Sequence, residues 1–473
     1  MKAIELMDVT FSYEGYEKKV LKNASFSVEY GELALLSGYS GEGKSTVLSL
    51  IAGIIPSITA GEITGEVLIA GESIKDKKMS EVCRKVGVVL QNADAQIIQQ
   101  LVEDEIAFGC ENFAFSKEKI RACIVNASSR MKLQPQWKTR TLSGGQKQRL
   151  ITACTLATEQ KIIVLDEPLA NLDKAGAKLL MEALRSLTQE GYAVLIIEHR
   201  LDMVLPYVDT VWSIFGGVIS KVLNKQEYLS AQGLYIQSEC QPVSTQKTAF
   251  SLKSVGFSVK GREILKDITF DVNKGERILL LGENGCGKTT LLRLIAGLSS
   301  PTKGSITHSF ATELSQKQKG NKNWFRKVGV VYQNPNYQLF MPTVRQEIAY
   351  GAESEDFANE ITEMFGLTAL ADRHPQSLSE GQKRRVSIAA IAAAKPDLLL
   401  LDEPTVGQDH RGLKELVRVL NTLHEKSGNT MVTVTHDMRC AEALCDRAVL
   451  IEGGCAAAKG SKELVREYFA MVP

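Results

Sequence analysis

Short apolar runs, rich in β-branched residues and leucine, recur along the chain and alternate with longer amphipathic stretches. LALLS, KIIVLDE and AVLIIEH lie in the first half; RILLLG, DLLLLDE and TMVTVTH lie in the second. Runs this brief, bounded by polar or glycine positions, suit strands buried inside a sheet. KAGAKLLMEALRSLTQE instead spaces its apolar residues at three and four, as a helix with one face on a core does. The alternation of the two kinds predicts, for each half, a largely parallel sheet flanked by helices. The opening MKAIELMDVTFSY alternates as a strand.

The order of elements occurs twice. VLKNASFSVEYGELALLSGYSGEGKSTVLSLIAG, Val20 to Gly53, returns as ILKDITFDVNKGERILLLGENGCGKTTLLRLIAG, Ile264 to Gly297, at an offset of about 240 residues that persists to the end. Between the copies, Asn224 to Phe250 is polar, contains Pro242 and shows no sustained periodicity, so its later part reads as a linker. The expected division is a first domain over 1–235, a linker over 236–248 and a second domain over 249–473.

Composition narrows the function classes. A length of 473 residues with 44% hydrophobic content is ample for two cores. Lysine and arginine total 56 against 55 acidic residues, and a net charge of +1 gives no electrostatic footprint for a nucleic-acid backbone, so none is expected as a partner. Nine scattered cysteines without a CxxC pair read as reduced thiols of a cytosolic protein. The longest apolar runs end at acidic residues far short of a bilayer, and the N-terminus lacks the apolar core of a signal peptide.

The chemistry sits at the ends of the predicted strands. GYSGEGKS, Gly38 to Ser45, and GENGCGKT, Gly282 to Thr289, each follow a strand and open a helix, the setting of a phosphate loop. Gly38, Gly41 and Gly43, with Gly282, Gly285 and Gly287, let backbone N–H groups converge on phosphates. Lys44 and Lys288 are then placed for the β/γ oxygens, Ser45 and Thr289 for magnesium, and Thr46 and Thr290 follow in the same helix start. Two further strands end in the acid pairs Asp166-Glu167 and Asp402-Glu403. Beside a phosphate loop, the first acid of each pair suits Mg²⁺ and the second suits a general base toward water.

LSGGQKQR, Leu142 to Arg149, and LSEGQKRR, Leu378 to Arg385, precede the acid pairs, and with them the chain resembles the ABC transporter ATPases over nearly its whole length. The resemblance implies an α/β fold of two tandem P-loop NTPase domains. Each would have a mixed or parallel sheet core, an N-terminal antiparallel β part and a helical subdomain carrying the signature. It implies ATP and Mg²⁺ as cofactors, and Ser143, Gly145 and Gln146, with Ser379, Gly381 and Gln382, as the signature groups that face the γ-phosphate held by the opposite domain. Gln91 and Gln333 match the Q-loop glutamines, near Mg²⁺ and the membrane partner. His199 and His436 match the switch histidines, and Asp173 and Asp409 the D-loop.

The stretches QNADAQIIQQLVEDEIAFGCEN and QNPNYQLFMPTVRQEIAYG resemble the energy-coupling-factor group of cobalt and vitamin importers. That implies a peripheral ATPase on the cytoplasmic face of the membrane, working with a transmembrane coupling subunit and a membrane substrate-binding subunit that itself selects the small molecule. The alternative is a soluble tandem ABC ATPase acting on nucleic acid or ribosomes. The short uncharged linker and the absence of a basic tail or zinc motif weigh against it. A fused sugar-importer ATPase would typically carry a degraded second phosphate loop, and GENGCGKT is intact.

The halves are not equivalent. Glu380 replaces a signature glycine, and a carboxylate roughly 5 Å from a γ-phosphate charge would oppose binding by about 3 kcal/mol at an effective dielectric near 20, unless it turns toward solvent or Lys383, Arg384 and Arg385. Tyr13 matches the family's adenine-stacking aromatic, whereas the second copy has Val259, with Phe257 or Arg262 as the available substitutes. The Lys288 site is therefore expected to carry most hydrolysis and the Lys44 site to hold ATP longer. Cys286 reads as a small tolerated residue; a thiol activated by Lys288 and the helix start is the alternative.

Overall fold

Leu33–Gly38, Ile162–Asp166 and Ala193–Ile197, three of the apolar runs, form the middle of a six-stranded sheet. The computed structural model describes residues 1–15, 18–39, 41–170, 172–232, 236, 245–312 and 322–471. It divides into two compact units, Met1–Leu234 and Tyr235–Pro473.

In the first unit the large sheet runs Val218–Lys221, Thr210–Phe215, Leu33–Gly38, Ala193–Ile197, Ile162–Asp166, Val86–Val89. Every pairing is parallel except the first, which is a hairpin. Leu33, Leu35, Ile163 and Leu165 point into one core, shared with the helices Gly144–Ala157 and Lys174–Gln189. Ala34, Leu36, Ile162 and Val164 point into another, shared with the phosphate-loop helix Lys44–Ile51 and an antiparallel sheet that contains Lys2–Tyr13. Period-two side-chain alternation on a sheet covered on both faces explains the unbroken apolar runs. Each fully buried leucine contributes about 1.5–3 kcal/mol.

The second unit repeats the plan. Its large sheet runs Val328–Val331, Leu398–Asp402, Thr430–Val434, Arg277–Leu281, Arg447–Glu452, Cys455–Gly460, parallel but for the last pair. Leu399 and Leu401 face a core built with helices, and Leu398 and Leu400 face the antiparallel sheet formed around Thr248–Val259. Helical subdomains consist of Val102–Asn112, Lys117–Arg130 and Gly144–Ala157 in one unit, and of Val344–Ala349, Glu355–Met364 and Glu380–Ala392 in the other.

One polar residue is inserted where the first copy is apolar. Arg277, at the place of Leu33, is 1% exposed; it bonds Asp446 with Nη2 at 2.6 Å and Asn421 with Nη1 at 2.9 Å. In the first copy the matching Asp209 takes the Leu33 N–H at 2.9 Å and an arginine from elsewhere, Arg185, at 2.6 Å.

Part of the polar stretch after Asn224 is ordered as a helix, Lys225–Gln232. Asn224 Oδ1 accepts from the N–H groups of Gln226 and Glu227, and Tyr228 and Leu229 lie against the core, so a side-chain cap and two anchors replace the missing periodicity. Of the linker expected over 236–248, residues 237–244 lie outside the described residues, and Thr248 already belongs to a strand. No described helix is long and apolar enough to cross a membrane.

Candidate functional site

Each phosphate loop leaves the C-terminal end of a parallel strand and opens a helix at its lysine. Gly43 and Gly287 are the helix N-caps, with φ of 103° and 105°, a region costly for any residue with a Cβ. A Cβ on Gly287 would also stand 2.6 Å from Leu265 Cδ2. Lys44 Nζ donates to the carbonyls of Gly38 and Tyr39, both at 2.8 Å, and Lys288 Nζ to those of Gly282 and Glu283, at 2.6 and 2.8 Å. Both ammonium groups are thus held inside the loop's concavity.

The expected metal residues come together. Ser45 Oγ donates to Asp166 Oδ2 at 3.3 Å, and Thr289 Oγ1 to Asp402 Oδ1 at 3.2 Å. Burial pushes the Asp166 carboxyl up to about 6, helped by Glu167, and burial raises Asp402 as well. A buried carboxylate beside a hydroxyl is a hard oxygen donor set that fits a magnesium ion. Among the described residues no three His, Cys, Asp or Glu are grouped to hold a metal, so further ligands would come from a side-chain amide, water and phosphate oxygens.

Glu167 and Glu403, the proposed bases, stand with left-handed backbones, φ of 46° and 51°. Such conformations cost about 1–3 kcal/mol each and persist where the surroundings impose them. Here the Glu167 N–H bonds Ile197 O at 2.8 Å and the Glu403 N–H bonds Val434 O at 2.9 Å, which fastens each turn to the neighbouring strand. His199 Nε2 lies 3.0 Å from Glu167 Oε1, and Gln91 Nε2 donates to Glu167 Oε2 at 2.6 Å, so three separately predicted residues converge. In the second unit His436 Nε2 lies 3.3 Å from Glu403 Oε1, and the His436 N–H donates to Oε2 at 3.2 Å. Gln333 follows Val328–Val331 as Gln91 follows Val86–Val89. Burial, with Asp402 beside it, pushes Glu403 up to about 8.

The signature residues build helix starts. Ser143 caps Gly144–Ala157 and forms a reciprocal capping box with Gln146; Ser379 and Gln382 do the same for Glu380–Ala392. Each serine oxygen accepts the N–H three residues on, at 3.3 and 3.4 Å, which leaves its own O–H to donate to an anion. Gly145 is buried in the first turn, and a Cβ on Gly381 would come within 3.1 Å of Gly407 O. Glu380 turns to Lys383, Oε1 to Nζ 3.2 Å, one of the orientations expected for it. Asp173 and Asp409 cap the helices Lys174–Gln189 and His410–Ser427.

Tyr13 ends its strand edge-on to Phe11, and its hydroxyl bonds Thr46 Oγ1 at 2.8 Å, which ties the aromatic to the phosphate-loop helix. Val259 is 44% exposed, and Thr290 occupies the helix position equivalent to Thr46. Phe257 packs on the core, whereas Arg262 stands directly across the strand pair from Val259. Cys286 Sγ lies 3.9 Å from Lys288 Nζ, yet burial raises its thiol above the ordinary value, against an activated thiolate.

Two residues escaped the motif reading: Glu198 and Arg200, either side of His199. Glu198 is 2% exposed and its carboxylate accepts three backbone N–H groups. A charged residue closing the apolar run AVLII was the available signal.

The family model described as ABC transporter matches residues 21–170 and again 265–406. A Bacillus subtilis protein named "Putative HMP/thiamine import ATP-binding protein YkoD" is 33% identical over 96% of this chain and 90% of its own. An Enterococcus faecalis protein named among ABC transporter ATP-binding proteins is 33% identical over 95% of this chain and 89% of its own. Among solved structures, an RNase-L Inhibitor aligns with a TM-score of 0.65 over 97% of this chain and 92% of that one, at 21% identity, a likeness of fold. With both cassettes matched and full-length relatives at this identity, the chain belongs to the ABC transporter family and is an ATPase with two tandem ATP-binding domains.

Proposed function

We propose that the chain is the ATP-hydrolysing subunit of an energy-coupling-factor-type importer, peripheral on the cytoplasmic face of the membrane. It would serve a transmembrane coupling subunit and a membrane substrate-binding subunit. The observation that carries the reading is the exposed apolar surface directly after each Q-loop glutamine. Ile98 is 68% exposed after Gln91; Tyr337, Phe340 and Tyr350 are 80%, 66% and 70% exposed after Gln333, with Phe340 and Tyr350 in edge-to-face contact. Clustered exposed aromatics mark surfaces that other proteins cover. The B. subtilis relative's name, with its HMP/thiamine import, points to a vitamin or its precursor as cargo; a metal ion is the other cargo class of the group.

In each cassette the helix-start N–H groups and Lys44 or Lys288 would hold the phosphates, and Glu167 or Glu403 would take the proton of the attacking water. His199 or His436 would stand by the γ-phosphate. Gln91 or Gln333, Ser45 or Thr289, and Asp166 or Asp402 would hold magnesium, which when bound neutralises charge on the phosphates. Ser143, Gly145 and Gln146, or Ser379, Gly381 and Gln382, would complete the site of the opposite cassette.

Affinity purification of the tagged chain from detergent-solubilised membranes tests the reading. Recovery with two integral membrane proteins and a bound small molecule is the expected result. Recovery with ribosomes and no membrane protein would replace it with the ribosome-associated alternative.

A further inference from the structure

The buried Glu198 carboxylate joins two segments of the first cassette that meet at Glu167. Its Oε1 accepts the Leu169 N–H at 3.0 Å, and its Oε2 accepts the N–H groups of His199 and Arg200 at 2.6 and 3.0 Å. Arg200 closes the same joint from the other side, Nη1 donating to the carbonyls of Leu169 at 3.1 Å and Leu172 at 2.8 Å. Leu169 and Leu172 follow Glu167 in the chain, and His199 sits 3.0 Å from that glutamate.

The second cassette is built differently at the same places. Thr435 stands for Glu198 and Thr405 for Leu169, and their hydroxyls share one hydrogen bond at 2.7 Å. Asp437 stands for Arg200 and pairs with Arg439 on its own short helix. The Thr435 hydroxyl also accepts the Asp437 N–H at 3.1 Å, and Arg384 Nη1 donates to the Glu403 carbonyl at 3.0 Å, so the second cassette fastens the corresponding turn through other groups. Bonds to a charged group are worth roughly twice a neutral one, so in the first cassette Glu198 and Arg200 carry the joint that the threonine pair and Arg384 share in the second.

We infer that Glu198 and Arg200 are positioning residues of the first cassette, bracing the strained turn of Glu167 against the strand end that carries His199. They hold the glutamate and histidine at hydrogen-bonding distance without touching ATP. The inference rests on the proposed roles of Glu167 and His199.

The test uses the full chain carrying Glu403→Gln, so that hydrolysis reports the Glu167 site, in single turnovers at enzyme excess. Adding Glu198→Ala should slow the hydrolysis step about tenfold or more while the ATP concentration at half-maximal rate moves within about twofold. Glu198→Thr with Leu169→Thr, which installs the Thr405–Thr435 pair, should recover most of the rate. Amide exchange should quicken over 167–173 and 198–200 in Glu198→Ala, and stay unchanged over 403–409 and 435–437. An unchanged hydrolysis step overturns the inference, and so does a loss that the threonine pair does not recover or that appears equally in ATP affinity. Adding Glu167→Gln instead separates the readings: if it leaves the rate intact, the base assignment fails, whereas its loss beside an unaffected Glu198→Ala removes the brace alone. A Glu403→Gln chain with no hydrolysis at all in a single turnover overturns both.

Discussion

A glutamate buried beside an aspartate has to keep its proton or be given a cation, and Glu403 shows the consequence. With its carboxyl up near 8 against an ordinary value of 4.5, the folded chain binds a proton there that the unfolded chain has released. Stability from this group is complete below about 4.5 and is lost as pH rises through about 8. The nucleotide-free wild type should therefore lose Tm between pH 5 and 9 more steeply than Glu403→Gln, scanned calorimetrically side by side; equal slopes would contradict the burial argument. The same substitution should lower turnover at its own site about 10²–10⁴-fold while ATP binding survives. Gly287→Ala brings a Cβ to φ 105° and against Leu265, and should cost about 1–3 kcal/mol of stability together with nucleotide affinity, read by urea unfolding and ATP titration. At this scale the sequence disclosed which side chains matter, because phosphate chemistry prescribes residue types at fixed spacing. It did not disclose that Glu167 and Glu403 adopt left-handed backbones, since no glycine or asparagine marks the position.

At the scale of elements, strands were legible and some connections were not. LALLS and KIIVLDE became central strands because both faces of the sheet are covered, so apolar content alone located them. Lys225–Gln232 was hidden because a cap and two anchoring side chains, not periodicity, hold it. Arg277 reads as the polar first residue of a strand, and only tertiary structure shows it buried against Asp446. Arg277→Leu, which copies the first cassette's residue, should destabilise the second unit by about 1–3 kcal/mol, because it leaves the part-buried Asp446 carboxylate without its arginine. Urea denaturation followed by a probe in that unit checks this; a change under about 1 kcal/mol would mean that Asp446 finds water.

For the whole molecule, duplication was plain from the sequence, and the inequality of the copies was legible only in part. The Glu380 substitution looked costly by charge, and its carboxylate pairs with Lys383, which weakens one of the two arguments for asymmetry. The other remains: Tyr13 is held at its loop by Thr46, while the second copy offers Val259 with Arg262 across the strand. The expected outcome is that Glu403→Gln lowers ATPase more than Glu167→Gln does, measured on the purified chain at saturating ATP. Equal losses would return the two sites to equivalence.

A chain that contains the same fold twice also risks folding wrongly, one copy's strands entering the other's sheet while both are still open. The buried arginine of the second copy distinguishes the two. The strand Arg277–Leu281, placed where Leu33–Gly38 belongs, would force a guanidinium beside Asp209, which Arg185 already occupies. Leu33–Gly38 in the reverse exchange would leave Asp446 without its partner. Either exchange breaks the Arg277–Asp446 pair, so that pair favours each strand in its own half.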